Sequence, residues 1–193
     1  MQSVNRATNY FLFAAVSAAL CGFAFAQPRP QDHPFEKKLA PYVASPVRVV
    51  DLMLEMAKIK PGETLYDLGS GDGRILIKAA ERYRANAVGI EISPGLVLAA
   101  QDQIRKAGVS DHARVVQGDV LQTDFSSANV ITLYMDRESN AKLRPLLEKY
   151  LKPGSRVISH NAEIPGWKPT KVEKTEDRQV HTVYLYEIPA AKQ

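Results

Sequence analysis

The chain of 193 residues carries one cysteine, Cys21. It falls in an apolar N-terminal stretch, so the rest of the sequence can build no disulfide and offers no thiolate to a metal or a substrate. Histidine is scarce as well: His33, His112, His160 and His181 stand far apart. None pairs at the spacing a metal site uses, and no metal is expected. No Gly-x-Ser-x-Gly elbow is present, which argues against a serine hydrolase. Charge of one sign is lacking too. The net charge is +4, and the Lys and Arg residues are scattered, so a mixed solvated surface is expected rather than a nucleic-acid groove or a membrane patch. No internal repeat is visible.

One long apolar run is present, at the start. Arg6 is the only charge in residues 1–26, Tyr10 to Ala26 is almost wholly apolar, and Ala24-Phe25-Ala26 fits a small-x-small cleavage site before Gln27. This is the pattern of a secretory signal peptide, predicting a periplasmic or extracellular protein. The run is 17 residues long, at the lower limit for a membrane span, so an uncleaved N-terminal anchor is the alternative. Residues 27–41 contain Pro28, Pro30, Pro34 and Pro41 among polar residues and read as an extended tether. Residues 42–193 then form one domain of adequate size for its own core.

That domain is organised around Leu65-Tyr66-Asp67-Leu68-Gly69-Ser70-Gly71-Asp72-Gly73-Arg74. Thr64 to Leu68 has the composition of a buried strand, and from Ile75 the apolar residues return at helical spacing. The glycines between allow a sharp turn and close approach of a ligand. The turn leads to a helix N-terminus, where free N–H groups favour negative charge. A dinucleotide fingerprint would place a small residue where Arg74 stands. Asp67 and Asp72 suit an ammonium and a ribose better than a pyrophosphate. Ala87-Val88-Gly89-Ile90-Glu91 is a second apolar strand ending in an acid, 22 residues after Gly69, where a ribose hydroxyl partner is expected.

The remaining elements alternate. Ser45-Pro46 reads as a cap and first-turn proline for a helix to about Lys58; Ser93-Pro94 repeats the pattern for a helix stopped by Gly108. Short strands are predicted at Ala113–Gln117, Asn129–Leu133 and from Arg156 to Ser159. A helical region after Asp136 is expected to break at Pro145, which would open a second helix with Leu147 and Leu151 inward. Lys171–Thr175 and Thr182–Ile188 close the chain as strands. The alternation predicts an α/β, Rossmann-like sheet of seven mostly parallel strands, with helices on both faces and an antiparallel edge strand. His160 is expected to be a hydrogen-bonded structural residue.

The glycine loop resembles the first motif of class I S-adenosylmethionine-dependent methyltransferases. Over Tyr42 to Pro189 the likeness is narrower. Tyr42-Val43-Ala44-Ser45-Pro46, Asp67 to Arg74, Leu143-Arg144-Pro145 and Lys152-Pro153-Gly154 with a later Trp167 to Pro169 look like small bacterial relatives of the mitochondrial lysine methyltransferases that modify the adenine nucleotide translocase and the ATP-synthase c-ring protein. The resemblance implies S-adenosylmethionine as cosubstrate, held by Tyr42, Asp67, Gly69, Ser70, Gly71, Asp72, Arg74, Glu91, Asp119 and Val120. It implies a methyl acceptor such as a protein lysine. Tyr134 and Asp136, at the carboxyl end of the fourth strand, are the expected catalytic residues; for Asp136 a helix N-cap is the competing role, and for Asp119 a turn residue. The alternative function is an exported module of the same fold that binds S-adenosylmethionine or S-adenosylhomocysteine without turnover.

Overall fold

The computed structural model describes residues 39–189; the leader, most of the tether and the last four residues lie outside them. Twelve elements follow in order: α1 Val47–Ala57, β1 Thr64–Leu68, α2 Arg74–Tyr83, β2 Asn86–Glu91, α3 Pro94–Lys106, β3 Ala113–Gln117, a 3-10 turn Val120–Gln122, β4 Val130–Leu133, α4 Arg137–Tyr150, β5 Arg156–His160, β6 Lys171–Asp177 and β7 Gln179–Glu187. They build one sheet in the order β3-β2-β1-β4-β5-β7-β6. β1 to β5 pair in parallel, and β7 enters antiparallel between β5 and β6.

Alternation along the strands sorts side chains onto two faces. Leu65, Val130 and Ile158 face α1, α2 and α3 with Val50, Leu54, Leu76, Ala79, Ala100 and Ile104. Tyr66, Leu68, Ile131 and Val157 face α4 with Leu143 and Leu147. The central strands are apolar on both faces because helices cover both, as a parallel sheet requires.

Three local expectations need correction. Pro145 lies inside α4, which runs unbroken to Tyr150. A proline there forfeits one helical hydrogen bond, but tertiary contacts anchor the helix on both sides of it. Leu143 and Leu147 are fully buried, and Asn140 donates through Nδ2 to Ser159 Oγ and to the carbonyls of Ala162 and Glu163. Ser45 does not cap α1. Pro46 holds the N-cap position, and the Ser45 hydroxyl turns instead to a buried partner, His160 Nδ1, at 3.0 Å. The closing hairpin is longer than its apolar pattern, since β6 and β7 continue to meet at Arg178 with φ +60°. Backbone pairing at an exposed edge needs no apolar side chains, so Glu176, Asp177 and Gln179 gave no strand signal.

Candidate active site

The carboxyl ends of β1, β2 and β4 open into a cleft lined by Asp67, Ser70 to Asp72, Arg74, Glu91, Tyr134 and Met135, and covered by residues 40–45. A second cleft shares Ala40, Gly69, Glu91 and Met135 with it and continues over β3 to Asp119 and Val120. The two share a wall and run together across four strand ends, those of β4, β1, β2 and β3.

Most amides of the glycine loop already have partners within the protein. Gly69 N and Ser70 N donate to the Ile90 carbonyl at 2.8 and 3.1 Å, Gly73 N donates to the Ser70 carbonyl at 2.9 Å, Gly71 N donates to Glu91 Oε2 at 2.9 Å and Arg74 N donates to Asp72 Oδ1 at 3.3 Å. These five amides are therefore engaged in the loop's own shape. Gly71 has φ +54°, and a Cβ there would collide with the ring of Tyr42, which lies directly on the loop. Only glycine serves at that close approach.

Negative charge dominates what faces the groove. Asp67 is 4% exposed and accepts a 2.7 Å hydrogen bond from Thr132 Oγ1. Burial, with Glu91 and Asp72 nearby, pushes its carboxyl up to about 7, although the Thr132 bond opposes the shift. Such a group is poised to ionise when a cation arrives. Glu91 is buried, and its second oxygen, Oε1, accepts from Ser93 N at 2.8 Å. Each carboxylate oxygen can still accept another bond, which suits the two hydroxyls of a ribose. Partial burial pushes Asp72 up, but the Arg74 guanidinium, bonded at 2.7 to 3.2 Å, holds it below the usual carboxylate range. Arg74 also donates to the Ser45 carbonyl at 2.8 Å, tying the covering segment to the loop. Burial and Asp72 push the Tyr42 phenol up, so it is a neutral donor rather than a base. Ser70 lines the cleft, but its Oγ is buried against Gly89 under the loop and has no partner among the described residues.

The structure separates the two expected catalytic residues. Tyr134 lines the groove. Asp136 is exposed, is absent from that lining, and caps α4 by accepting from Ser139 N at 2.7 Å. That bond holds its carboxyl below the usual range, so the geometry supports the competing N-cap role. Asp119 likewise serves its own turn: Oδ1 accepts from Leu121 N at 2.8 Å. It keeps its place at the end of the groove with Val120. Among the described residues no cluster of His, Cys, Asp and Glu could hold a metal.

Reading the sequence alone missed Thr132, Met135 and the environment of His160. Thr132 had a signal: it is the one polar residue in Val130-Ile131-Thr132-Leu133, and its period places it on the same face as Asp67. His160 is fully buried between Ser45 and His181 and stacks on Tyr134, with ring centroids 3.8 Å apart.

The sequence profile of the ANTKMT methyltransferase domain matches residues 67–171. The chain belongs to that family. A protein-lysine N-methyltransferase of Saccharolobus islandicus (strain REY15A) is 47% identical over 150 residues, covering 77% of this chain and 93% of the relative. The adenine nucleotide translocase lysine N-methyltransferase of Mus musculus is 30% identical over 132 residues, covering 68% of this chain and 57% of the relative. Among solved structures, an RNA methyltransferase from Salinibacter ruber in complex with S-adenosyl-L-homocysteine superposes with a TM-score of 0.73 at 44% identity, covering 78% of this chain and 97% of the other. The ANTKMT-type domain is thus an S-adenosylmethionine-dependent methyltransferase, and the acids lining its groove, Asp67, Asp72 and Glu91, are chemically compatible with that cosubstrate's ammonium and ribose.

Proposed function

We propose that the protein is a protein-lysine N-methyltransferase. The observation that carries this reading is the charge of the groove. Among the described residues Arg74 is the only basic side chain lining it, and that guanidinium is already paired with Asp72. A cationic lysine is attracted to such a mouth, whereas an RNA backbone needs unpaired Lys and Arg at the rim. The Saccharolobus relative, a protein-lysine N-methyltransferase, agrees with a lysine acceptor.

S-Adenosylmethionine bound in the groove supplies a methyl already activated on sulfonium. The protein contributes alignment. Glu91 and Asp67 would hold the cosubstrate's ribose and ammonium, and Tyr42, which lies on the glycine loop, would cover it. The lysine must give up one proton to use its nitrogen lone pair. The Tyr134 hydroxyl can accept a hydrogen bond from the remaining N–H and turn that lone pair inward. The departing proton goes to water at the open side.

RNA methylation is the second reading, favoured by the likeness to the Salinibacter RNA methyltransferase. Incubating the protein with labelled S-adenosylmethionine and separated protein and RNA fractions tests both. Methyl-lysine in digested protein is expected; label confined to RNA overturns the lysine reading. A binding module without turnover is disfavoured by the family, whose named relatives are enzymes. Export, or retention through an N-terminal anchor, is supported by residues 1–26 alone. These lie outside the described structure. Because S-adenosylmethionine is made in the cytoplasm, export would require a source of cosubstrate outside it.

A further inference from the structure

His160 carries the strongest unexplained arrangement in the molecule. It ends β5, is fully buried, and bonds through both ring nitrogens: Nδ1 with Ser45 Oγ at 3.0 Å and Nε2 with His181 Nδ1 at 2.9 Å. His181 comes from β7, is 2% exposed, and has Asn161 Nδ2 3.5 Å from the same nitrogen. A ring tethered at both nitrogens cannot turn about its own axis without breaking two buried bonds, each costly to leave unmade. One face of that fixed ring meets Tyr134, with centroids 3.8 Å apart and planes tilted by 31°. Ser45 and Tyr134 both line the groove, while His160 stands behind them.

We propose that the Ser45–His160–His181 chain is a positioning device for the methyl acceptor, holding Tyr134 at one orientation in the groove wall. The inference rests on reading the Tyr134 side of the groove as the acceptor side. β4 pairs with β1 on the flank opposite β2, so Tyr134 stands across the loop from the ribose partner Glu91. Ser45 is also the residue whose carbonyl Arg74 grips. One residue therefore joins the cosubstrate loop to the acceptor wall. A neutral imidazole is the right material for this wall. It stacks on a phenol and bonds at both ends without repelling a cationic amine, and burial, together with His181, lowers its basicity.

The test compares Ser45→Ala, Ser45→Thr and His160→Phe. With the acceptor identified, Ser45→Ala and His160→Phe should lower kcat tenfold or more. The acceptor KM and the dissociation constant of S-adenosylhomocysteine should stay within about threefold. Ser45→Thr, which restores the hydroxyl, should recover most of the rate. A purely structural chain would lower the melting temperature and leave the kcat of the folded protein unchanged, which overturns the proposal. A second measurement needs no acceptor and so separates this inference from the lysine reading. Ring signals of Tyr134, followed by NMR with labelled tyrosine, should shift and average in Ser45→Ala relative to the wild type. Unchanged Tyr134 signals overturn the proposal even if the acceptor proves not to be lysine or His160→Phe does not fold.

Discussion

Glu91 shows how one carboxylate can serve fold and ligand together. Its oxygens already hold Gly71 N and Ser93 N, so it shapes the glycine loop before any cosubstrate arrives. Hydrogen bonds to a charged group contribute about 1.5–3 kcal/mol each. Glu91→Ala should therefore weaken S-adenosylhomocysteine binding roughly 10- to 100-fold, read by calorimetry; unchanged affinity would remove Glu91 from the site. Asp136 makes the opposite case. Asp136→Ala should lower the melting temperature by removing the cap on Ser139 N, while turnover of the folded protein stays near wild type. A large loss of turnover in Asp136→Asn, with its stability kept, would return Asp136 to a catalytic role.

At the scale of elements, α4 is the one that defies its own sequence. Local propensity ends a helix near proline, yet Asn140, Leu143 and Leu147 fasten this one to β5 and the sheet face. Replacing Pro145 by Ala restores an N–H for the Ala141 carbonyl and removes the ring's clash with it. Part of that gain is offset because proline also restricts the unfolded chain. Pro145→Ala should raise stability by about 1–2 kcal/mol, measured by urea unfolding. A destabilised variant would mean that α4 is shaped around the proline rather than in spite of it.

Across the whole molecule, two buried groups pull stability in opposite directions as pH changes. Burial, with His181, lowers His160 from 6.5 to about 4. Between those values the unfolded chain takes up a proton that the native state refuses, so stability is lost as pH falls. Asp67 is raised from 3.8 to about 7. Between those values the native state keeps a proton that the unfolded chain releases, so stability is lost as pH rises. From about pH 4 to 6.5 the two slopes oppose one another, each up to about 1.4 kcal/mol per pH unit. Asp67→Asn removes one of them. Its stability should rise with pH across this window more steeply than that of the wild type, as followed by urea melts at several pH values. Parallel curves would show that Asp67 does not titrate there. Export belongs to the same scale: mass spectrometry of the native protein should find Gln27 at the N-terminus if the leader is cleaved, and an intact Met1 in a soluble cytoplasmic fraction would refute it.

The sequence by itself determined the order of elements, the sheet class and the spacing of Asp67, Glu91 and Asp119 along a cofactor groove. Strand alternation, helical periodicity and a glycine-rich turn are local properties, and a βα repeat converts them directly into positions at strand ends. Tertiary structure alone decided which polar groups meet. Whether Ser45 caps a helix or bonds His160, and whether the loop amides face a ligand or Ile90, depend on residues far away in the chain. For such residues several partners are chemically equivalent. The packing of β5 and β7 under the covering segment buries His160 beside Ser45, and the pairing of β1 with β2 brings Ile90 to the loop amides.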